Sequence, residues 1–318
     1  MSKKSANLLL LAVAVMFLGG IIFVGAMTAL DWDLGELSSE KYETNTHEIS
    51  TDFENIYINT DTARIVFELS EKDERKVVCY EAKNEKHEVS VSDGTLNISL
   101  NSTKKWYEHI GFNFSTPKIT VYIPAGEYGA LTVRSSTGDV ALKGLSFDII
   151  DMVLSTGDVN CSANATKDIR IKTSTGAISL ENASARDVEL SVSTGRVDVA
   201  NVKCSDLSVR VSTGKTHLAS VECDNFTTSG STGDINLSGV IVNGKIDVKR
   251  STGDIKLTKC DAAELAITTD TGDVRGSLLT DKVFIARSDT GKIDVPKSTS
   301  GGICEITTDT GNIIITVD

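Results

Sequence analysis

In the second half of the chain the apolar residues fall into two short alternating runs in every nineteen or twenty residues. Measured from a recurring glycine, aliphatic pairs stand seven and five positions before it, as in Leu131/Val133, Ile169/Ile171, Leu207/Val209 and Leu265/Ile267. More apolar residues stand two and four positions after it, as in Val140/Leu142, Ile178/Leu180, Val197/Val199 and Ile255/Leu257. Polar residues fill the gaps. Alternation of this kind, rich in β-branched side chains, predicts a strand on each side of the glycine. The glycines are Gly138, Gly157, Gly176, Gly195, Gly214, Gly233, Gly253, Gly272, Gly291 and Gly311, each preceded by Thr and spaced by 19 or 20 residues. The Thr-Gly step is therefore a corner, and glycine supplies the positive φ that a tight bend needs.

Two strands and a turn could form a hairpin, but Ser-Thr-Gly is a poor two-residue hairpin signal beside Asn-Gly or Asp-Gly. A fixed period fits better with stacked parallel coils, each strand pairing with its copies above and below. One coil offers four or five aliphatic side chains, worth roughly 1.5–3 kcal/mol each when buried. That cannot offset the ordering of nineteen backbones at roughly 1–2 kcal/mol apiece, so such coils must occur in series. The expected fold is all-β: a parallel β-solenoid of about ten 19-residue coils, with an N-terminal β-rich cap and one transmembrane helix. At about 4.8 Å per coil the rod is on the order of 48 Å long. The corner threonines form a column whose hydroxyls are expected to bond to one another and to the corner backbone.

Upstream, Leu8 to Leu30 is an uncharged run long enough to cross a hydrocarbon core as a helix. Lys3 and Lys4 precede it and Asp31 and Asp33 follow, which places the N-terminus in the cytoplasm. A cleavable signal peptide is the rival, because Val24-Gly25-Ala26 would suit a peptidase, but signal h-regions run only about 7–15 residues. The expected organisation is a cytoplasmic tail at 1–7, an anchor at 8–30, an acidic linker at 31–50, a β-rich capping region at 51–130 and repeats at 131–318. Within the capping region, Val89, Val91, Leu96 and Ile98 flank Asp93-Gly94, a strong hairpin signal. Trp106, Tyr107, Phe112 and Phe114 lie beside Lys104 and Lys105 and are expected to pack over the first coil. No cap follows the last repeat, which leaves its strand at Ile313–Ile315 as the expected open end.

Net charge is −12. A basic face for phosphates is thereby disfavoured, and nucleic acid is a poor partner. Five of the six cysteines, Cys161, Cys204, Cys223, Cys260 and Cys304, take positions that hold apolar or small residues in other coils, so they read as core. Cys204 and Cys223 lie one period apart, where a disulfide between in-register parallel strands would be strained. His47, His87, His109 and His217 are scattered, and no Cys/His metal spacing is present. The best candidate constellation is acidic: Asp139 and Asp158, then Asp234, Asp254 and Asp273, each directly after a corner glycine. Stacked carboxylates repel by about 1 kcal/mol per pair in water, and a cation could relieve this, which makes Asp234, Asp254 and Asp273 the candidate cation column. Solvated turn residues are the plainer reading. Asp254 with Lys249 and Arg250 could serve a carbohydrate-active enzyme on a β-helix scaffold, but no long loop walls a cleft. No catalytic residue and no cofactor is expected.

A membrane segment, a β-rich lead-in ending in Ile119-Thr120-Val121-Tyr122-Ile123-Pro124-Ala125-Gly126, and then Ser-Thr-Gly-Asp-Val repeats resemble the DUF4097-type adhesin β-solenoid family of bacterial envelope proteins, with LiaG-like and YvlB-like members. The resemblance spans roughly residues 50–318. It implies a non-catalytic envelope component with a structural, adhesin-like or stress-regulatory binding role, held in the membrane by its own helix. The implied partners are an envelope protein or a cell-wall polymer. It carries over no catalytic residues.

Overall fold

The computed structural model describes residues 3–29, 41–70, 73–102 and 115–318. The aromatic segment carrying Trp106, Tyr107, Phe112 and Phe114 lies outside the described residues, as do Asp31, Trp32 and Asp33. The first element is α1 (Lys3–Ala29), 27 residues and so about 40 Å long. Leu10, Val15, Phe17, Leu18, Ile22 and Phe23 are all exposed along it, although they face different sides of the helix. The stretch Ala12–Ala29 is long and apolar enough to cross a membrane, and a signal sequence would meet the same description.

Beyond the helix the chain is a β-solenoid of about ten turns at 19-residue spacing. The long strands β9 (Val140–Thr156), β10 (Val159–Ser184), β11 (Asp187–Lys203) and β12 (Asp206–Cys223) pair in parallel, one above the next. Register is strict: Gly176 pairs with Gly195 and Gly195 with Gly214, while Ile178, Val197 and Thr216 stack in one column. β13 (Asn225–Thr232), β14 (Ile235–Thr252) and β15 (Ile255–Thr271) continue the stack. The inward columns fuse into one hydrophobic core running from Phe53 to Ile315.

The corner shows why glycine recurs. Its φ lies between +123° and +158° at all ten positions. A Cβ on Gly214 would sit 2.7 Å from the carbonyl carbon of Gly195 and closer still to its oxygen. The corners are thus stacked backbone on backbone, with glycine N–H groups donating to a threonine carbonyl of the neighbouring coil, as Gly157 does to Thr175 and Gly272 to Thr310, at 3.0 and 2.9 Å. The corner threonine side chains themselves face solvent. Hydroxyls that brace the corner come instead from three positions before the glycine: Thr173 donates to the Gly157 carbonyl, and Ser288 to that of Gly311.

Neither end follows sequence order. β8 (Glu127–Thr137) pairs with β2 (Asn55–Thr60), and β9 with β3 (Arg64–Leu69), so residues 55–69 make a coil with Ala63 facing Gly138 at the corner. Outside it lie β6 (Thr95–Ser102) on β2 and β7 (Lys118–Ile123) on β3. The outermost strands are then covered antiparallel, β6 by β5 (Glu85–Ser92), β7 by β4 (Lys76–Ala82), and β4 by β1 (Tyr42–Glu48). Asp93 and Gly94 both take positive φ in the β5–β6 turn, as a type I′ hairpin demands. Residues 42–48 fall within the stretch expected as an acidic linker, yet form β1, where Tyr42 stacks on Tyr80 with ring centroids 5.1 Å apart.

At the other end, β19 (Gly302–Thr310) pairs with β15 on one side and β17 (Lys282–Thr290) on the other. Likewise β20 (Ile313–Val317) lies between β16 (Val274–Leu278) and β18 (Ile293–Asp294). The spatial order of the last three corners is Gly272, Gly311, Gly291. Ile313–Ile315, expected as the open end, is therefore interior, and Ile285 and Ile293 of the penultimate repeat are exposed instead.

Candidate functional site

The acidic column is built into the corners. Asp139 Oδ1 accepts the Asp158 N–H at 2.9 Å, and Asp158 Oδ1 accepts that of Ala177 at 2.7 Å. Asp234 accepts from Asp254 at 3.3 Å, Asp254 from Asp273 at 2.8 Å, and Asp273 from Asn312 at 2.6 Å. Each carboxylate thus takes up the backbone donor of the coil stacked on it. The last step passes to Asn312 because Gly311 follows Gly272 in space. The Asn312 N–H, with help from the Arg275 guanidinium, holds the Asp273 carboxyl below the usual carboxylate range. Lys215 reaches Asp234 at 3.7 Å and Arg275 reaches Asp273 at 2.5 Å, so basic side chains temper the column's charge. Asp234, Asp254 and Asp273 line one shallow surface groove with Asn236 and Lys256.

The imagined catalytic grouping around Asp254 does not assemble. Lys249 pairs with Asp247 at 3.2 Å, on the strand before the corner. Arg250 points into the rod and is 3% exposed. Its Nη1 donates to the Val211 carbonyl at 2.8 Å, two coils away, and its Nη2 to Thr216 Oγ1 at 3.4 Å. That path crosses Gly230, where a Cβ would collide with the guanidinium. Among the described residues no carboxylate lies within ion-pair distance of this buried cation, which is costly; burial lowers its pKa, and the more distant Asp234 charge opposes that shift.

Cys161, Cys223, Cys260 and Cys304 are buried and Cys204 is half-buried, as their positions in the coils imply, and Cys79 is buried as well. Burial pushes the Cys161 and Cys304 thiols up to about 12. Cys223 is driven upward first by its hydrogen bond with Cys204, then by burial.

The sixth cysteine belongs to a group that the sequence reading missed. On β4, alternation turns Val77, Cys79 and Glu81 to the same buried face. A two-residue turn brings back β5, which carries His87. Glu81 is 1% exposed and His87 5%. Glu81 Oε2 lies 2.7 Å from His87 Nδ1 and also accepts the His87 backbone N–H at 2.7 Å. Glu81 Oε1 accepts from Asn45 Nδ2 of β1 at 2.8 Å. His87 Nε2 is 2.9 Å from the Thr60 hydroxyl on β2. Cys79 Sγ completes a set whose ligand-type atoms all lie within 4.8 Å of one another, the one such group of three among the described residues. Burial first, and the Glu81 carboxylate second, push the Cys79 thiol up to about 12. The hydroxyl–imidazole–carboxylate chain resembles a proton relay, but it is sealed from solvent on all three members. Its readable signal was Glu81 itself, a carboxylate in phase with the apolar positions of its strand.

A family model for Toastrack DUF4097 matches residues 53–220 and 205–318. No curated protein matches the chain. Among solved structures, a candidate lipid-binding protein of Parabacteroides distasonis is 18% identical with a TM-score of 0.52, over 75% of this chain and 98% of that one. A candidate adhesin of Bacteroides fragilis is 15% identical, TM-score 0.44, over 87% and 98%. A second candidate adhesin, from Parabacteroides merdae, is 12% identical, TM-score 0.48, over 87% and 97%.

Proposed function

The chain belongs to the Toastrack DUF4097 family, and on that footing we propose that it is a non-catalytic, membrane-tethered rod presenting its solenoid to another component of the cell envelope. The observation that carries this reading is α1: an apolar helix with exposed side chains all round, preceding a regular solenoid. A helix of that length and apolar surface suits the hydrocarbon core of a bilayer. The helix is retained as a single-pass anchor with Lys3 and Lys4 on the cytoplasmic side, and the rod stands outside. The groove residues around Asp254 are held in coil-to-coil hydrogen bonds, which suits a surface built for shape rather than turnover.

An envelope protein or a wall polymer is the expected partner class. The name of the Parabacteroides distasonis relative adds lipid to the panel. The test is capture on the full chain in detergent micelles, using native membrane extract, purified wall polymers and lipid vesicles, read by mass spectrometry and co-sedimentation. Saturable binding to one class supports the reading. Release of soluble sugar from wall polymer, lost in Asp254→Asn, would overturn it in favour of a carbohydrate-active enzyme.

A further inference from the structure

We propose that Cys79, Glu81 and His87 form a buried three-ligand site for a divalent metal of the zinc class, which ties β4 to β5 within the antiparallel cap and leaves a fourth coordination position open. The three side chains offer sulfur, oxygen and nitrogen, each fully buried, with ligand atoms within 4.8 Å of one another. A thiolate–imidazole–carboxylate set suits zinc and its neighbours in the transition series, whereas calcium and magnesium take oxygen donors.

Charge argues in the same direction. Glu81 sits in the core, and among the described residues the basic side chain within ion-pair distance of it is His87. A thiolate, a carboxylate and a neutral imidazole around one divalent ion sum to zero, which is the arrangement a dry interior favours over an unbalanced carboxylate.

The surrounding contacts orient the donors as metal sites require. Thr60 Oγ1 on Nε2 fixes the ring so that Nδ1 faces Glu81 and Cys79. Asn45 holds the far carboxylate oxygen, Oε1, while Oε2 accepts the His87 backbone N–H and turns its second lone pair to the site. Partners of this kind set the tautomer and ring angle of ligating histidines. The 2.7 Å separation of Nδ1 and Oε2 needs to open only to roughly 3.3 Å to admit an ion bonded at about 2.0 Å to both. The donors come from β4 and β5, and the residues that hold them come from β1 and β2. An ion here therefore ties β4 to β5, and the Thr60–His87 hydrogen bond connects that pair to the coil at residues 55–69.

The experiment uses the full chain in detergent micelles, stripped with chelator, in a Cys204→Ser/Cys223→Ser background so that the other thiol pair contributes nothing. Cobalt(II) alone is titrated and read by absorption. The expected result is one equivalent bound with a sulfur-to-cobalt charge-transfer band, displaced by one equivalent of zinc. Cys79→Ser abolishes the band, His87→Gln weakens binding at least tenfold, and Thr60→Val weakens it by about 10–100-fold while the band keeps its shape. Absence of the band, or its survival in Cys79→Ser, overturns the proposal. If Cys79→Ser does not fold, the parent protein's stoichiometry and the His87→Gln affinity decide: no stoichiometric band, or unchanged affinity, overturns it equally.

Discussion

Substituting Gly214 and Gly239 by alanine tests whether the corner glycines are required for their backbone angle or for their stacking. Both residues have positive φ, +137° and +58°. At Gly239 the nearest atoms to an added Cβ are 3.9 Å away, belonging to the Ser220 backbone. Gly239→Ala therefore carries conformational strain alone, about 1–2 kcal/mol. At Gly214 the added carbon meets the Gly195 backbone, with its carbonyl carbon at 2.7 Å and its amide nitrogen at 3.3 Å. No flexible side chain can yield there. The strain of roughly 1–3 kcal/mol is joined by forced separation of two coils, which loosens hydrogen bonds worth about 1 kcal/mol net each. Gly214→Ala should cost on the order of 4 kcal/mol or more, the range reserved for severe lesions. Repeat arrays depart from two-state unfolding, so native-state hydrogen exchange of amides at Gly195–Val199 and Gly214–Leu218 is the assay, with denaturant midpoints as support. A Gly214→Ala loss within 1 kcal/mol of the Gly239→Ala loss would refute the stacking argument and leave only φ. Ala63, at a corner without positive φ, is the chain's own precedent for alanine there.

Other consequences are simpler to measure. Asp254→Ala should lower protection of the Asp273 amide and cost about 1 kcal/mol, while Asp254→Asn, which keeps the acceptor, should cost less; hydrogen exchange at that amide separates them. Because the folded-state pKa of Asp273 is depressed, its contribution is present at neutral pH and is lost as pH falls through that lowered value. Acid should thus loosen the 274–318 region in the parent more than in Asp273→Asn, as followed by exchange against pH. Cys161 and Cys304, buried and raised to about 12, should resist alkylation at pH 8 in the folded chain, and half-buried Cys204 should label first, as read by peptide mapping. Gly230→Ala should displace Arg250 from the Val211 carbonyl and lower the melting temperature more than Gly126→Ala, whose added carbon meets only Tyr128 at 3.9 Å.

The solenoid was legible because its two strongest requirements recur in every coil. A backbone-stacked corner at positive φ takes glycine in all ten coils, and the paired inward positions of each strand are almost all apolar, with Thr216 and Thr228 as buried exceptions. The order of the coils was not legible, for the same reason. Cys304/Ile306 and Phe284/Ala286 offer equivalent inward pairs, so the local pattern fits either neighbour of Leu265/Ile267. The coil at residues 55–69 was hidden because Ala63 replaces the marker glycine. The Asp column was visible as a column, but its role in accepting the next coil's N–H depends on side-chain direction, which spacing does not report. Cys79, Glu81 and His87 escaped because their proximity comes from one tight turn and two strand phases, with no metal-binding motif in the linear chain.

The reversed order of the last repeats changes how this rod can come apart. A solenoid built in sequence order loses its end one repeat at a time, since each unit touches only its neighbours. Here the terminal coil around Gly291 rests on a coil supplied by the last residues of the chain. Detaching β20 leaves β18 without its partner and uncovers β16 as well. The end therefore frays as one cooperative block from about residue 274 onward. During synthesis, the block cannot close until its final strand has emerged.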